Sequence, residues 1–165
     1  MAKEKESLTK LYQETLKDLY SAEEQILEAL PKMIESATHP ELKKGFQTHY
    51  QQTEQQKQRL EKIGQDLGED LSGHKCKGME GLVKEGDQVM EEFSDSDILD
   101  AALISAAQRV EHYEMAGYGC ARTYAHMLGL ANHAELLQRT LDEEGDTDEK
   151  LTDLAETVVN IDALK

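Results

Sequence analysis

At 165 residues, with two prolines, eleven glycines and abundant Leu, Ala, Glu, Lys and Gln, the chain is long enough for one substantial core and favours helix over sheet. A formal charge of −16 argues against unassisted binding to nucleic acid or an anionic membrane, because phosphates need Lys and Arg counter-charges. The same acidity suits a protein that attracts cations, or one that is merely kept in solution by charge. No apolar run approaches the length of about 18 residues that a spanning helix needs, so none is expected. The start, Met1-Ala2-Lys3-Glu4-Lys5-Glu6, lacks the apolar stretch of a signal peptide. Cys76 and Cys120 have no metal-binding spacing, and with no disulfide framework the expected compartment is the reducing cytoplasm.

The first segment, about Lys5 to Ser36, carries Leu8, Tyr12, Thr15, Leu19, Glu23, Ile26, Leu30, Met33 and Ala37 at steps of three and four, the signature of one helix face. Pro31 predicts a kink or an early end. Thr38-His39-Pro40 breaks the helix, with His39 extended ahead of the proline. The second segment, about Glu41 to Leu67, has the stripe Leu42, Phe46, His49, Thr53, Gln56, Leu60, Ile63 and Leu67, and Gly68 is its stop. A shorter amphipathic segment with Met79, Leu82, Val83, Gly86, Val89, Met90 and Phe93 reads as an accessory helix in a long crossover.

Ser94-Asp95-Ser96-Asp97 offers N-cap residues for a helix over about Ile98 to Leu128. That helix is apolar over much of its circumference, through Leu99, Ala102, Leu103, Ala106, Val110, Tyr113, Ala116, Cys120 and Met127, and is therefore expected to be central. Gly129 ends it. The last helix starts near Ala131 to Ala134 and runs toward Leu164, with Leu137, Leu141, Glu144, Asp148, Leu151, Ala155 and Val158 in register and Gly145 as an interruption. Two long helices, a crossover with a short helix, and two more long helices predict an all-α, ferritin-like four-helix bundle spanning 1–165 as one domain.

Each long helix places a metal-ligand type of side chain on its apolar stripe. Glu23 points with Leu19 and Ile26, whereas Glu24 falls off the stripe. His49 lies between Phe46 and Thr53, with Gln56 also in register, so the middle of that helix faces something polar. Glu111 and Glu114, at i and i+3, share one face. Glu144 and Asp148 stand out from an acidic run because Leu137, Leu141, Leu151 and Ala155 bracket them; Glu143 is the alternative ligand if the helix rotates at Gly145. Singly, each has an ordinary reading as a boundary carboxylate, a hydrogen-bonded core histidine or a solvated face. Jointly they fit a metal centre, because a buried carboxylate must be paired, protonated or metal-bound. Oxygen-rich ligation without thiolate suits iron or manganese, and ligand hardness alone also admits calcium or magnesium.

Leu19-Tyr20-Ser21-Ala22-Glu23-Glu24-Gln25, Leu30-Pro31-Lys32-Met33, Gln108-Arg109-Val110-Glu111-His112-Tyr113-Glu114 with Gly117-Tyr118-Gly119, Leu141-Asp142-Glu143-Glu144 to Asp148, and Cys76-Lys77-Gly78-Met79-Glu80-Gly81-Leu82 in the crossover strongly resemble the YciF-type family. These are bacterial ferritin-like proteins linked to stress responses, and the likeness covers nearly the whole chain. A wider similarity to rubrerythrin-like di-iron proteins rests on Glu23 and Glu111-x-x-Glu114. The chain departs from that pattern at His49 and Thr53, where a Glu-x-x-His belongs, and at Glu144 with Asp148, where no histidine follows. It has no four-cysteine unit to supply electrons.

The resemblance implies a stress-linked protein with two metal ions, iron first and manganese second. Glu111 or Glu114 would bridge them, and Glu23, His49, Glu144 and Asp148 would be terminal. Its implied chemistry is Fe(II) oxidation by dioxygen or peroxide, of ferroxidase or peroxidase type, in a cytoplasmic homodimer without nucleic-acid or membrane partners. The missing histidines weigh against full competence. The competing reading is a non-enzymatic helical interaction module that keeps the centre as a structural polar core.

Overall fold

The structure is a computed structural model that describes residues 2–94, 96 and 98–164. Helices α1 (Ala2–Ser36), α2 (Pro40–Leu67), α3 (Lys77–Glu92), α4 (Leu99–Met127) and α5 (Ala131–Leu154) follow in chain order. A π-helical turn over Ala155–Val159 and the short α6 (Asn160–Asp162) carry α5 onward. No strand occurs among the described residues.

Side-chain pairings set the directions. Tyr20 meets Glu61 and Gln13 meets Glu69, so α1 and α2 are antiparallel. Asp100 meets Thr38 at one end of the α1–α4 contact and Tyr118 meets Glu23 further along, so these two are antiparallel as well. α2 and α5 pair through Gln56 with Glu143 and Arg59 with Thr140. It follows that α2 and α4 run the same way, and the chain must travel the bundle's length between them. α3 makes that return, lying against α1 and α4. The four-helix bundle with an extra crossover helix is therefore as the periodicity predicts.

Local signals explain the ends. Gly68 adopts φ 68°, donates to the Gln65 carbonyl at 3.1 Å and is followed by Glu69 donating to Gly64 at 2.9 Å, which closes α2 as a Schellman motif. His39 is extended before Pro40, as expected. Asp100 accepts from the backbone N–H groups of Thr38 and His39 at 2.8 Å each, tying the α1–α2 turn to the start of α4. Cys76 caps α3 through its sulfur, which accepts the Met79 N–H at 3.3 Å.

Three expectations need correction. Pro31 neither ends nor interrupts α1, since it sits on the exposed side and the helix continues to Ser36. The predicted N-cap of α4 is replaced by Ile98 without a side-chain cap; Ser96 accepts the Ile98 N–H at 3.3 Å, and Asp95 and Asp97 lie outside the described residues. On α4, Ala116, Cys120 and Met127 face outward, while Ile104, Ala107, Tyr118, Ala121 and Ala125 supply the core. An all-round apolar helix leaves its rotation undecided by sequence, and packing against α1 and α5 decides it.

The core is divided. One apolar cluster holds Ile26, Leu30, Leu42, Phe46, Leu103, Ile104 and Leu151. The other holds Tyr12, Leu16, Leu19, Leu60, Ile63, Tyr118 and Leu137. Between them, at mid-length on every long helix, lies a buried polar layer.

Candidate metal centre

That layer consists of Glu23 from α1, His49, Thr53 and Gln56 from α2, Glu111 and Glu114 from α4, and Thr140 and Glu144 from α5, all buried. Each arrives there through the three-four spacing that also brings the neighbouring apolar residues inward. One donor atom from each of His49, Glu111, Glu114 and Glu144 lies within 4.8 Å of the others. Glu23 adjoins this group, donated to by the Tyr118 hydroxyl and close to Glu114.

The polar atoms of this layer are largely without partners. Glu23 Oε2, both nitrogens of His49, Gln56 Oε1, Glu111 Oε2 and both oxygens of Glu114 and of Glu144 are buried with no protein hydrogen bond. His49 Nε2 approaches Glu111 Oε1 at 3.3 Å without a hydrogen-bonding alignment. Glu111 abuts Glu144 as Glu114 abuts Glu23, and two carboxylates in contact are satisfied only by a proton or a cation between them. An unsatisfied buried polar group costs about 1–3 kcal/mol, more if charged, so such a concentration is the mark of a ligand-binding centre.

Electrostatics agree. Burial, and then the field of its carboxylate neighbours, raises Glu23, Glu111 and Glu114 well above the ordinary carboxyl range. Burial raises Glu144 to about 7. Burial lowers His49 to about 4, so its imidazole is neutral and free to act as a ligand. The donor set fits a cation pair: Glu23, Glu111, Glu114 and Glu144, when ionised, carry the charge that two divalent ions would balance. One imidazole among oxygens suits a hard or borderline ion.

Two sequence candidates lie elsewhere. Asp148 is outside the group; it accepts from Gln108 Nε2 at 3.1 Å and stands 3.3 Å from the exposed His112. Glu143, the alternative to Glu144, is committed to Arg59, which donates to both its oxygens at 2.7 Å, and it also accepts from Gln56 at 3.3 Å. Glu24 pairs with Lys57 at 3.0 Å, and Glu54 is exposed, both off the stripe as their register predicts.

Sequence reasoning missed Arg59, and it reads Tyr118, like Tyr20 and Tyr113, as a packing residue rather than a hydrogen-bond donor to the centre. Arg59 is buried, donates to Thr140 at 2.9 Å, and its charge partly offsets the rise that burial imposes on the carboxyls of Glu23 and Glu144. Its signal was weak, because it falls one position before Leu60 at the edge of the stripe. Tyr118 follows Glu114 by four, which does place it on the ligand face. Tyr20 and Tyr113 bond elsewhere, to Glu61 and to Asp18.

Two openings reach the centre at His49 and Glu111. A narrow apolar cleft of about 40 Å³ runs between α1, α3 and α4. A groove of about 430 Å³ runs between α2 and α5.

Fold and centre together define a helical-bundle protein with a buried carboxylate–histidine cluster capable of holding metal. The chain belongs to the YciF-type family: the family described as a domain of unknown function (DUF892) matches residues 7–164. Protein YciF of Escherichia coli (strain K12) is 42% identical over 146 residues, which span 88% of each chain. The crystal structure of that stress protein matches with a TM-score of 0.88 and 40% identity, covering 93% of this chain and 97% of the other. YcfI from Rhodopseudomonas palustris matches with a TM-score of 0.85 and 41% identity over 88% of this chain and 92% of the other. A Xanthomonas campestris protein at 20% identity, with a TM-score of 0.75 over 94% and 95% of the two chains, shares the fold alone.

Proposed function

We propose that this protein binds a pair of divalent metal ions, iron first and manganese second, between its long helices, and uses them in a stress response. The observation that carries this reading is the unpartnered set of buried donor atoms on Glu23, His49, Glu111, Glu114 and Glu144. Glu111 and Glu114 share one helix face, which supports a bridging role for one of them, with His49 and Glu144 in the same cluster and Glu23 beside Glu114 as terminal ligands. The Glu23 and Glu111-x-x-Glu114 pattern of rubrerythrin-like proteins supports the same assignment. Held by these residues, a redox-active pair would supply the electrons for reducing peroxide or dioxygen. The chain's part is to hold the ions, keep a neutral imidazole at His49, and exclude bulk water by the apolar clusters on either side.

The proposed setting is the cytoplasm, consistent with the absence of any described helix long and apolar enough to cross a membrane. A homodimer is the proposed assembly. Direct metal analysis after anaerobic Fe(II) loading tests the centre: two ions per chain are expected, and Glu111→Ala with Glu144→Ala should lose them. Unchanged metal content in that variant would sink the assignment. Oxidation of the loaded Fe(II) by peroxide, followed optically, tests the chemistry separately.

The alternative is a non-enzymatic interaction module whose centre is a protonated polar core. The raised carboxyls of Glu111, Glu114 and Glu144 favour it in metal-free protein. It predicts the same melting curve with and without chelator.

A further inference from the structure

The groove between α2 and α5 is larger than ion passage needs. Its volume of about 430 Å³ falls in the range of small-molecule pockets, and its base is formed by two buried, unpartnered polar groups, His49 and Glu111 Oε2. The lining is graded along its length. Gln52 follows His49 along α2, and Thr147 precedes Leu151 along the antiparallel α5, so uncharged polar lining gathers at the centre's end, with Lys44 and Glu41 farther out. Leu42, Phe46, Leu151 and Leu154 line the part that leads away. Midway stands Gly45, where a Cβ would meet nothing within 4 Å. A large side chain there has room to enter the groove.

Charge chooses the kind of occupant. Lys44 on α2 and Lys150 on α5 line opposite sides, both exposed, and neither has an ion-pair partner among the described residues. Unpaired lysines facing one groove are notable on a chain of formal charge −16. Besides Glu111, the lining has a single acidic residue, Glu41, in the first turn of α2 and farthest from the centre. From Leu42 to His49 the helix rises about 10 Å, the length of about eight methylene-linked carbons.

We propose that this groove binds an amphipathic anion: an oxyanion head at the His49 end, level with Lys150 and with Lys44 farther out along α2, and an aliphatic chain lying along Phe46, Leu42 and Leu154. The proposal rests on the metal reading in one respect. An anionic head is tolerated beside Glu111 only when the carboxylate cluster is neutralised, which bound cations do on that reading and protons do in metal-free protein.

The test is calorimetric titration of the full-length protein with octanoate, with and without Mn(II), alongside direct measurement of bound metal. One octanoate per chain is expected in the presence of metal, with acetate binding at least about tenfold more weakly because it forfeits the chain's apolar burial. Octylammonium should fail to bind. Gly45→Phe fills open space on a helix without strain, so it should fold, keep its metal and lose octanoate affinity at least about tenfold. Lys44→Glu with Lys150→Glu should lose about fivefold or more. Metal-loaded protein that ignores octanoate, or a Gly45→Phe variant that binds it unchanged, overturns the groove and leaves the metal centre standing. Octanoate binding to protein that retains no metal upholds the groove and overturns the metal centre; loss of both overturns both. Sedimentation of Gly45→Phe covers the other occupant: a change in oligomeric state would make the groove an interface between copies and overturn the proposal.

Discussion

Arg59 grips Glu143 through both terminal nitrogens at 2.7 Å, one position from the buried Glu144. The pair therefore separates two adjacent carboxylates into different roles. Glu143 neutralises a cation at the edge of the polar layer; burial pushes its carboxyl up, but the hydrogen bonds and charge of Arg59, then of Arg139, outweigh that and hold it below the usual range. Glu144 stays inside, opposite Glu111. Arg59 also lends positive potential to Glu23 and Glu144, and so favours the ionised state a metal requires.

Removing Arg59 alone should be damaging. Arg59→Met is expected to destabilise the protein by about 2 kcal/mol, because it removes the bidentate partner of the half-buried Glu143 and leaves it only the weaker contacts with Arg139 and Gln56, each at 3.3 Å. The double variant Arg59→Met with Glu143→Met should recover most of that loss. Chemical denaturation of the single and double variants measures it, and equal destabilisation of both would count against a charge-stranding effect.

Tyr118 orients Glu23. Its phenol is fully buried and donates to Glu23 Oε1, leaving Oε2 for a ligand. Tyr118→Phe should reduce metal affinity by about tenfold, the usual size of an orienting hydrogen bond behind a ligand. Competition with a chromophoric chelator reads this out. The fold should persist, since the ring's packing is retained.

The pH dependence of stability should change sign on metal binding. In metal-free protein, Glu144, raised to about 7, and the other raised carboxyls bind more protons folded than unfolded. Their stabilisation is complete below the unfolded carboxyl value of 4.5 and is lost as pH rises through the folded values. His49 works the other way, losing stability as pH falls from 6.5 toward its folded value of about 4. Above pH 6.5 only the carboxyl effect remains. Metal-free protein should therefore lose stability from pH 6.5 to 8, by about 1 kcal/mol per pH unit for each group still protonated. Metal-loaded protein should gain melting temperature over the same interval, because cation binding expels those protons. Thermal melts in both states across this range decide the matter.

The thiols should differ sharply in reactivity. Cys76 is buried, hydrogen-bonded to Tyr113 at 2.9 Å and Asp18 at 3.3 Å, and burial raises its thiol. Cys120 is exposed. A thiol reagent should titrate Cys120 promptly and Cys76 only after unfolding. Mass mapping of early-labelled peptides would show an error if Cys76 reacted first.

Helical period alone was enough to place five of the six sequence candidates, Glu23, His49, Glu111, Glu114 and Glu144, in the buried layer. It worked on α1 and α2 because the flanking residues are unambiguously apolar or polar, so one stripe is defined; on α5 the same stripe turns Glu144 inward but leaves Asp148 at its edge. On α4 apolar residues surround the helix, and there the period could not say that Cys120 and Met127 face out while Tyr118 faces in.

The sequence by itself thus determined the helices, their order and which carboxylates each helix turns inward, because those depend on spacing along one chain segment. Tertiary structure alone decided that Arg59 takes Glu143, that Asp148 bonds Gln108 at the periphery, that Tyr118 holds Glu23, and that a groove between α2 and α5 opens onto His49. Those outcomes depend on the rotation and level of one helix against another. Period specifies a face, and only packing chooses what the face meets.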